Sequence, residues 1–355
     1  MAATKDVLVI GGGQAGLAAG YYLNKTNFKY LILDARPKAG GAWQHYWKSL
    51  KLFSPREASS LPGMIMPPTQ DTYPTREETI HYLKNYEEHY QLPVQRPVKV
   101  QAVVQAEDGI FTLTTNAGNY QSRAVISATG TWQNPFVPFY RGMNQFKGTQ
   151  IHSAQYWEPS QFKGQRVLII GGGNSGAQIL AEVSKVATTI WVTREEPQFL
   201  PDYIDGRYLF VEASKFYHSE NNATQKQPSI FNLGNIVMIP AVKEAGSRGV
   251  LKSYRPFSHF DEHGIFWKDG TYSPIDAVIW CTGFKPALHH LRKLNIYNSN
   301  GKVAIKDNQS TQVANLWFLG YGNWTGYASA TIIGVGRAAK HTVKGIKDQL
   351  KTPNQ

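Results

Sequence analysis

One cysteine, Cys281, stands in a chain of 355 residues. No intramolecular disulfide and no C-x-x-C redox pair can form, and the count fits a reducing, cytoplasmic compartment. Charge is also scarce, at 17% of residues where soluble domains carry roughly 25%. Hydrophobic residues make up 42%, enough for a large core, so disorder and collagen-like or disulfide scaffolds are excluded. The net charge is +12 (37 basic less 25 acidic), yet no run of like charges forms a tail. No helix-turn-helix, zinc-finger or aromatic RNA-binding signature accompanies it, so nucleic acid is not an expected partner. Long apolar runs are missing too. The start, MAATKDVLVIGGG, reaches glycine too soon for a signal-peptide core. Asn308 to Gly336 lacks charge, but its glycines, asparagines and threonines suit an internal, ligand-lining stretch and not a membrane span. His289 and His290 have no third ligand at helical or loop spacing, so no metal is expected. There is no G-x-S-x-G nucleophile motif.

What is present is a repeat. Val7 to Gly20 reads VLVIGGGQAGLAAG, and Val167 to Leu180 reads VLIIGGGNSGAQIL. Each joins a β-branched run to a glycine turn and an alanine-rich segment, which predicts strand, turn and helix. Gly11, Gly13 and Gly16, and again Gly171, Gly173 and Gly176, hold the G-x-G-x-x-G positions. In that pattern the first glycine makes the turn, the second admits a pyrophosphate and the third lets helix meet strand. Gln14 and Ala15, and Asn174 and Ser175, open the two helices, whose free N–H groups and dipole favour phosphate.

The strand that follows each motif ends differently. FKYLILDA closes on Asp34, 23 residues past Gly11, beside Ala35 and Arg36. A carboxylate there accepts hydrogen bonds from a ribose diol, as in FAD. TTIWVTREE closes on Thr193 and Arg194, the arginine 23 residues past Gly171. A guanidinium there suits the 2′-phosphate of NADPH, although Glu195 and Glu196 oppose it, and NADH is left open as a second donor. Two dinucleotide cradles in one chain are most useful if one cofactor reduces the other.

Between the repeats, Phe146-Lys-Gly148-Thr-Gln-Ile-His152-Ser-Ala-Gln-Tyr156 fits F-x-G-x-x-x-H-x-x-x-Y at every defined position. With it the chain resembles the flavin-containing monooxygenases, class B flavoprotein monooxygenases of the compact bacterial type. Gly40-Gly41-Ala-Trp43 is similar to the family's G-G-x-W along the flavin. Ser127-Ala-Thr129-Gly130 and Cys281-Thr-Gly283 are similar to its two linking elements, and Val100 to Val103 to its adenine-contacting strand. Two positions depart from the family. Phe53, followed by Ser54 near the flavin, replaces an asparagine that helps hold the oxygen adduct, and Gly322-Asn323 replaces a Gly-Asp at the ribityl chain.

The resemblance implies an α/β protein of two Rossmann-like dinucleotide-binding domains. The FAD domain takes residues 1–157 and 284–355, and the NAD(P)H domain, 158–283, is inserted into it. It implies FAD and NADPH as cofactors, and transfer of one atom of O2 to a sulfide or amine through a C4a-(hydro)peroxyflavin. The flavin carries that chemistry, so no side chain is assigned as acid or base. His152 and Tyr156 are expected to shape or gate the cleft, Cys281 to be a buried small residue, and a helix from about Ala328 to face the flavin. Two alternatives stay open: Baeyer–Villiger oxidation of ketones, which Trp157 keeps in view, and a non-oxygenating flavin-binding redox regulator associated with transport. A homodimer is left open. Thr75 and Glu78 predict a capping box ahead of an amphipathic helix. Residues 200–235 are expected to line part of the substrate pocket, though they match no motif.

Overall fold

The computed structural model describes residues 3–201, 204, 235–326 and 328–351. They form two compact units, one of residues 1–44, 55–133 and 286–355, the other of 45–54 and 134–285. Most of the segment 200–235 lies outside the described residues.

The first unit is built on a nine-stranded sheet. Its parallel centre runs, in spatial order, Val94–Gln95, Tyr30–Leu33, Lys5–Ile10, Gly118–Ser127 and Leu316–Phe318. Val7, Leu8 and Val9 of its central strand are wholly buried, as a parallel sheet covered on both faces requires. The long strand Gly118–Ser127 serves two partners. Its first half pairs antiparallel with Phe111–Thr115, while Val125 to Ser127 pair with Leu316–Phe318.

The second unit repeats this plan with a parallel sheet of five strands. Their order is Ser253–Tyr254, Thr188–Val192, Arg166–Ile170, Ala277–Trp280 and Thr149–His152. A three-stranded antiparallel sheet, His259–Phe260, Gly264–Phe266 and Tyr272–Pro274, lies in sequence between the strands Ser253–Tyr254 and Ala277–Trp280. The hairpin of Val100–Gln105 and Phe111–Thr115 holds the matching place in the first unit. The fingerprint segment thus begins as an edge strand of the second sheet.

Two helices carry the glycine motifs, Gln14–Leu23 and Asn174–Val183. The helix Arg76–His89 starts at Thr75, which accepts from the Glu78 N–H while the Glu78 carboxylate accepts from the Thr75 N–H. That is the capping box the sequence predicts. The C-terminal helix runs Ile332–Lys351, four residues later than the expected start. Ala328 has φ of +60°, a left-handed turn that a helix cannot absorb. Thr331 then caps the helix, its Oγ1 accepting from the Gly334 N–H at 3.0 Å. Among the described residues no helix is long and apolar enough to cross a membrane.

Candidate functional site

Both glycine motifs are shaped by the same close contacts. A Cβ on Gly11 would stand 2.5 Å from the Ala128 carbonyl oxygen, and one on Gly171 2.2 Å from that of Cys281. At the third glycine it would come within 1.9 Å of the Gly11 oxygen for Gly16, and 2.2 Å of the Gly171 oxygen for Gly176. These four positions are sterically closed to any side chain. The middle glycines are different. Nothing lies within 4 Å of a Cβ on Gly173, and the nearest atom to one on Gly13 is the Gly41 Cα at 3.7 Å. Space is therefore kept over the N-terminus of each helix, where the first N–H groups have no partner within the helix. Each is a cradle fit for a phosphate.

Around the first cradle the sequence-predicted residues converge. Gly41 is held against Gly13, where its own Cβ would sit 2.7 Å from the Gly13 Cα. The Trp43 Nε1 donates to Gln14 Oε1 at 2.9 Å, and Gln14 Nε2 donates to the Ala330 carbonyl at 2.6 Å. Gln14 thus ties the G-G-x-W turn to the segment that precedes the C-terminal helix. Gly320 meets the same helix start, since a Cβ there would lie 2.6 Å from that of Ala15. Thr129 Oγ1 donates to the Ala287 carbonyl at 2.8 Å and shares a 2.7 Å hydrogen bond with the Tyr321 hydroxyl. Tyr321 also bonds Ser127 Oγ at 2.6 Å, and Ser127 bonds His290 Nε2 at 3.1 Å. Burial, with His289 alongside, pushes the His290 pKa down to about 4, so its imidazole stays neutral. Val100 is buried in the core, whereas Gly322 is partly exposed and Asn323 exposed.

Asp34 is buried at the end of its strand, its carboxylate beside Gly12. Oδ1 accepts from the Arg36 N–H at 3.2 Å and Oδ2 from Arg96 Nε at 2.9 Å. Arg96 turns its other nitrogens to Glu87, at 2.5 and 2.6 Å. A carboxylate has about four lone-pair sites, so Asp34 keeps capacity for a diol. Arg96 and Glu87 escape the sequence reading, because both lie far along the chain from Asp34.

In the second unit the strand register corrects one equivalence. Ile10 pairs with Leu33, and Ile170 with Val192. The residue that follows is Asp34 in one half and Thr193 in the other, so Thr193, not Arg194, stands where Asp34 stands. The two N–H groups agree, Asp34 donating to Gln95 and Thr193 to Tyr254, both at 3.0 Å. The equal spacing of 23 residues misleads because the residue paired with Val167, Thr189, follows its helix one residue sooner than Tyr30, the partner of Val7, follows the first. Arg194 lies one position further on, with its side chain 93% exposed and Glu195 3.8 Å away. The Asn174 amide is engaged by the Asn235 carbonyl and the Val237 N–H, and Ser175 is half-buried beside it.

The fingerprint residues are structural contacts. The buried His152 lies between the Gly283 carbonyl, 3.0 Å from Nε2, and the Ala154 N–H, 3.1 Å from Nδ1. One neighbour accepts and the other donates, which fixes a neutral tautomer. Burial lowers its pKa as well, and neither ring nitrogen is left to act as a base. Tyr156 donates to Glu182 Oε2 at 2.9 Å, and Ser49 Oγ bonds Glu182 Oε1 at 2.5 Å. Burial raises the Glu182 pKa. Lys48 N–H donates to the Trp157 carbonyl, so residues 45–54, which end in half-buried Phe53 and buried Ser54, are anchored to the fingerprint. Cys281 is only partly buried as a residue, but its thiol is pushed up to about 12 by burial and is no nucleophile.

The comparisons with known proteins agree with this geometry. The profile of the family described as pyridine nucleotide-disulphide oxidoreductase matches residues 8–203. A solved structure, the flavin-containing monooxygenase from Stenotrophomonas maltophilia, is 47% identical with a TM-score of 0.90, over 98% of this chain and 99% of that one. The chain belongs to the pyridine nucleotide-disulphide oxidoreductase family and, within it, to the flavin-containing monooxygenases. It is a flavin-dependent monooxygenase, an oxidoreductase. The CzcO-like oxidoreductase of Geobacillus kaustophilus is 34% identical over 96% of this chain and 98% of its own length. Senecionine N-oxygenase of Tyria jacobaeae is 27% identical over 78% of this chain and 58% of its own. The α/β fold with parallel sheets is the fold expected from the sequence.

Proposed function

We propose that the first unit of this flavin-containing monooxygenase binds FAD, the second binds NADPH, and that one oxygen atom of O2 is delivered to a soft nucleophile, a sulfide or an amine. The observation that carries the reading is the pair of matching cradles whose strand ends carry opposite chemistry. Asp34 offers acceptors where a plain ribose presents hydroxyls, and Thr193 with Arg194 offers donors where a 2′-phosphate presents oxygens.

When bound, the flavin supplies the hydride acceptance and oxygen chemistry that no side chain here can perform. The chain binds and orients. N–H groups of Gly13 to Gly16, and of Gly173 to Gly176, would hold the pyrophosphates. Gln14 fixes Trp43 and the approach to the C-terminal helix, whose N-terminus would offer a positive dipole end to a reduced flavin. Thr129, Gly322 and Asn323 would contact the remainder of FAD. His152 and Tyr156 position the fingerprint strand and the segment that carries Phe53 and Ser54. Phe53 cannot donate a hydrogen bond, so it favours a second reading, that of a non-oxygenating flavoprotein that would yield peroxide and no organic product. An absorbance spectrum of the purified protein, followed by turnover of a thioether, a tertiary amine and a ketone with each nicotinamide, tests the proposal. A flavin spectrum with sulfoxide or N-oxide formation supports it. Ester from the ketone alone, or peroxide without organic product, opposes it.

A further inference from the structure

The internal repeat continues past the two motifs to the third strand counted from the motif strand of each unit. Val94-Gln-Arg96-Pro97 closes that strand in the first unit, and Ser253-Tyr-Arg255-Pro256 closes it in the second. Arg96 and Asp34 are 62 residues apart, as are Arg255 and Thr193. Both arginines reach across to the end of the second strand. Arg96 Nε meets Asp34 Oδ2 at 2.9 Å, and Arg255 Nη1 meets Thr193 Oγ1 at 2.8 Å and the Thr193 carbonyl at 3.3 Å.

The neighbours of the two guanidinium groups differ. Arg96 has a side-chain exposure of 12% and lies between two carboxylates, the buried Asp34 and the partly buried Glu87. Its charge is matched inside the fold, and what it leaves at the strand end is the acceptor face of Asp34. Arg255 is 42% exposed, and the carboxylate at Asp34's place is replaced by the Thr193 hydroxyl. Its acidic partner among the described residues is Glu196, which is 72% exposed and reached by Nη2, as is Ser253 Oγ at 2.8 Å. An exposed carboxylate contributes little to such a pair and can be exchanged for another anion. The fork geometry of arginine suits a phosphate equally well.

We propose that Arg255, oriented by Thr193 and Ser253, is a specificity-determining residue for the 2′-phosphate of the nicotinamide dinucleotide, with Glu196 as an internal anion that the phosphate displaces. The proposal rests on the reading of the second cradle as the nicotinamide site. It assigns preference to a residue 61 positions beyond Arg194 in the sequence, on a different strand.

The test is calorimetric binding of NADP+ and of NAD+ to the purified full-length protein saturated with FAD, which requires no turnover. Wild type should bind both, NADP+ more tightly. Arg255→Ala should weaken NADP+ roughly 10- to 100-fold, the range expected of a lost charge-assisted contact, and leave NAD+ within about twofold. Glu196→Gln, at an exposed position where folding is safe, should tighten NADP+ by about threefold or more and leave NAD+ unchanged. Equal weakening of both nucleotides by Arg255→Ala would show a packing role through Thr193 and overturn the inference alone. So would a Glu196→Gln protein with unaltered NADP+ affinity. If wild type binds neither nucleotide, the reading of the second cradle fails, and the inference with it.

Discussion

Thr193 occupies in the second half of the chain the place that Asp34 occupies in the first. Each follows the last paired residue of its strand, and each meets the arginine that closes the third strand. Arg96 meets a carboxylate where Arg255 meets a hydroxyl, and under the proposed function the first strand end is an acceptor for ribose and the second a donor to phosphate. Thr193→Asp should therefore bring the second site toward the first, pairing Arg255 internally and repelling a 2′-phosphate. The ratio of kcat/KM for NADPH over NADH should fall by about tenfold or more, since one well-placed charge is worth about 1.5–3 kcal/mol. An unchanged ratio would detach Thr193 from nucleotide choice.

Asp34→Ala should leave the purified protein largely colourless, because the ribose acceptor is lost while Arg96 keeps an unmatched share of charge. Asp34→Asn retains one acceptor and should recover part of the colour. Flavin absorbance per mole of folded protein measures this. Full yellow colour in the alanine variant would contradict the assignment.

The glycines of the second motif should separate folding from binding. A methyl at Gly173 meets nothing within 4 Å, whereas one at Gly176 would come within 2.2 Å of the Gly171 carbonyl oxygen. Gly173→Ala should keep the melting temperature and flavin content within error yet weaken nicotinamide binding at least tenfold, as the cradle fills. Gly176→Ala should lower the melting temperature itself, since the closed helix–turn contact leaves no room.

Acid should destabilise the first unit through His290. Its folded pKa, pushed down to about 4 by burial, lies below the value near 6.5 of an exposed imidazole. The unfolded chain therefore binds more protons between those values. The full stability is present above about pH 6.5 and is lost as pH falls toward 4, by on the order of 3 kcal/mol. His290→Gln should flatten that part of the curve of melting temperature against pH by close to one proton. A curve that keeps its wild-type slope would show that other groups govern acid lability.

Much of this was legible in the sequence because its determinants are local. Gly11 and Gly16, or Gly171 and Gly176, act within a single turn, and Thr75 and Glu78 within one helical start. Asp34 lies at the end of the strand that its motif introduces. Spacing along the chain does not fix the place of Arg194, because the paired strand arrives one residue sooner after its helix in the second half and only the hydrogen-bonded register decides. The C-terminal helix begins at Ile332 because Ala328 takes a left-handed conformation, which no local composition announced. The partnerships of Arg96 with Asp34, Arg255 with Thr193 and Tyr156 with Glu182 join distant segments and depend on sheet order. A signal did exist for the arginines, in the Arg-Pro pair that repeats at the third strands.

The measurement that bears most directly on the central claim is turnover of a thioether under 18O2 with NADPH as the electron donor. The account predicts one 18O atom in each sulfoxide molecule, none drawn from water, and sulfoxide formed in proportion to NADPH oxidised. NADPH oxidation whose oxygen is recovered wholly as hydrogen peroxide, with no labelled sulfoxide, would contradict it.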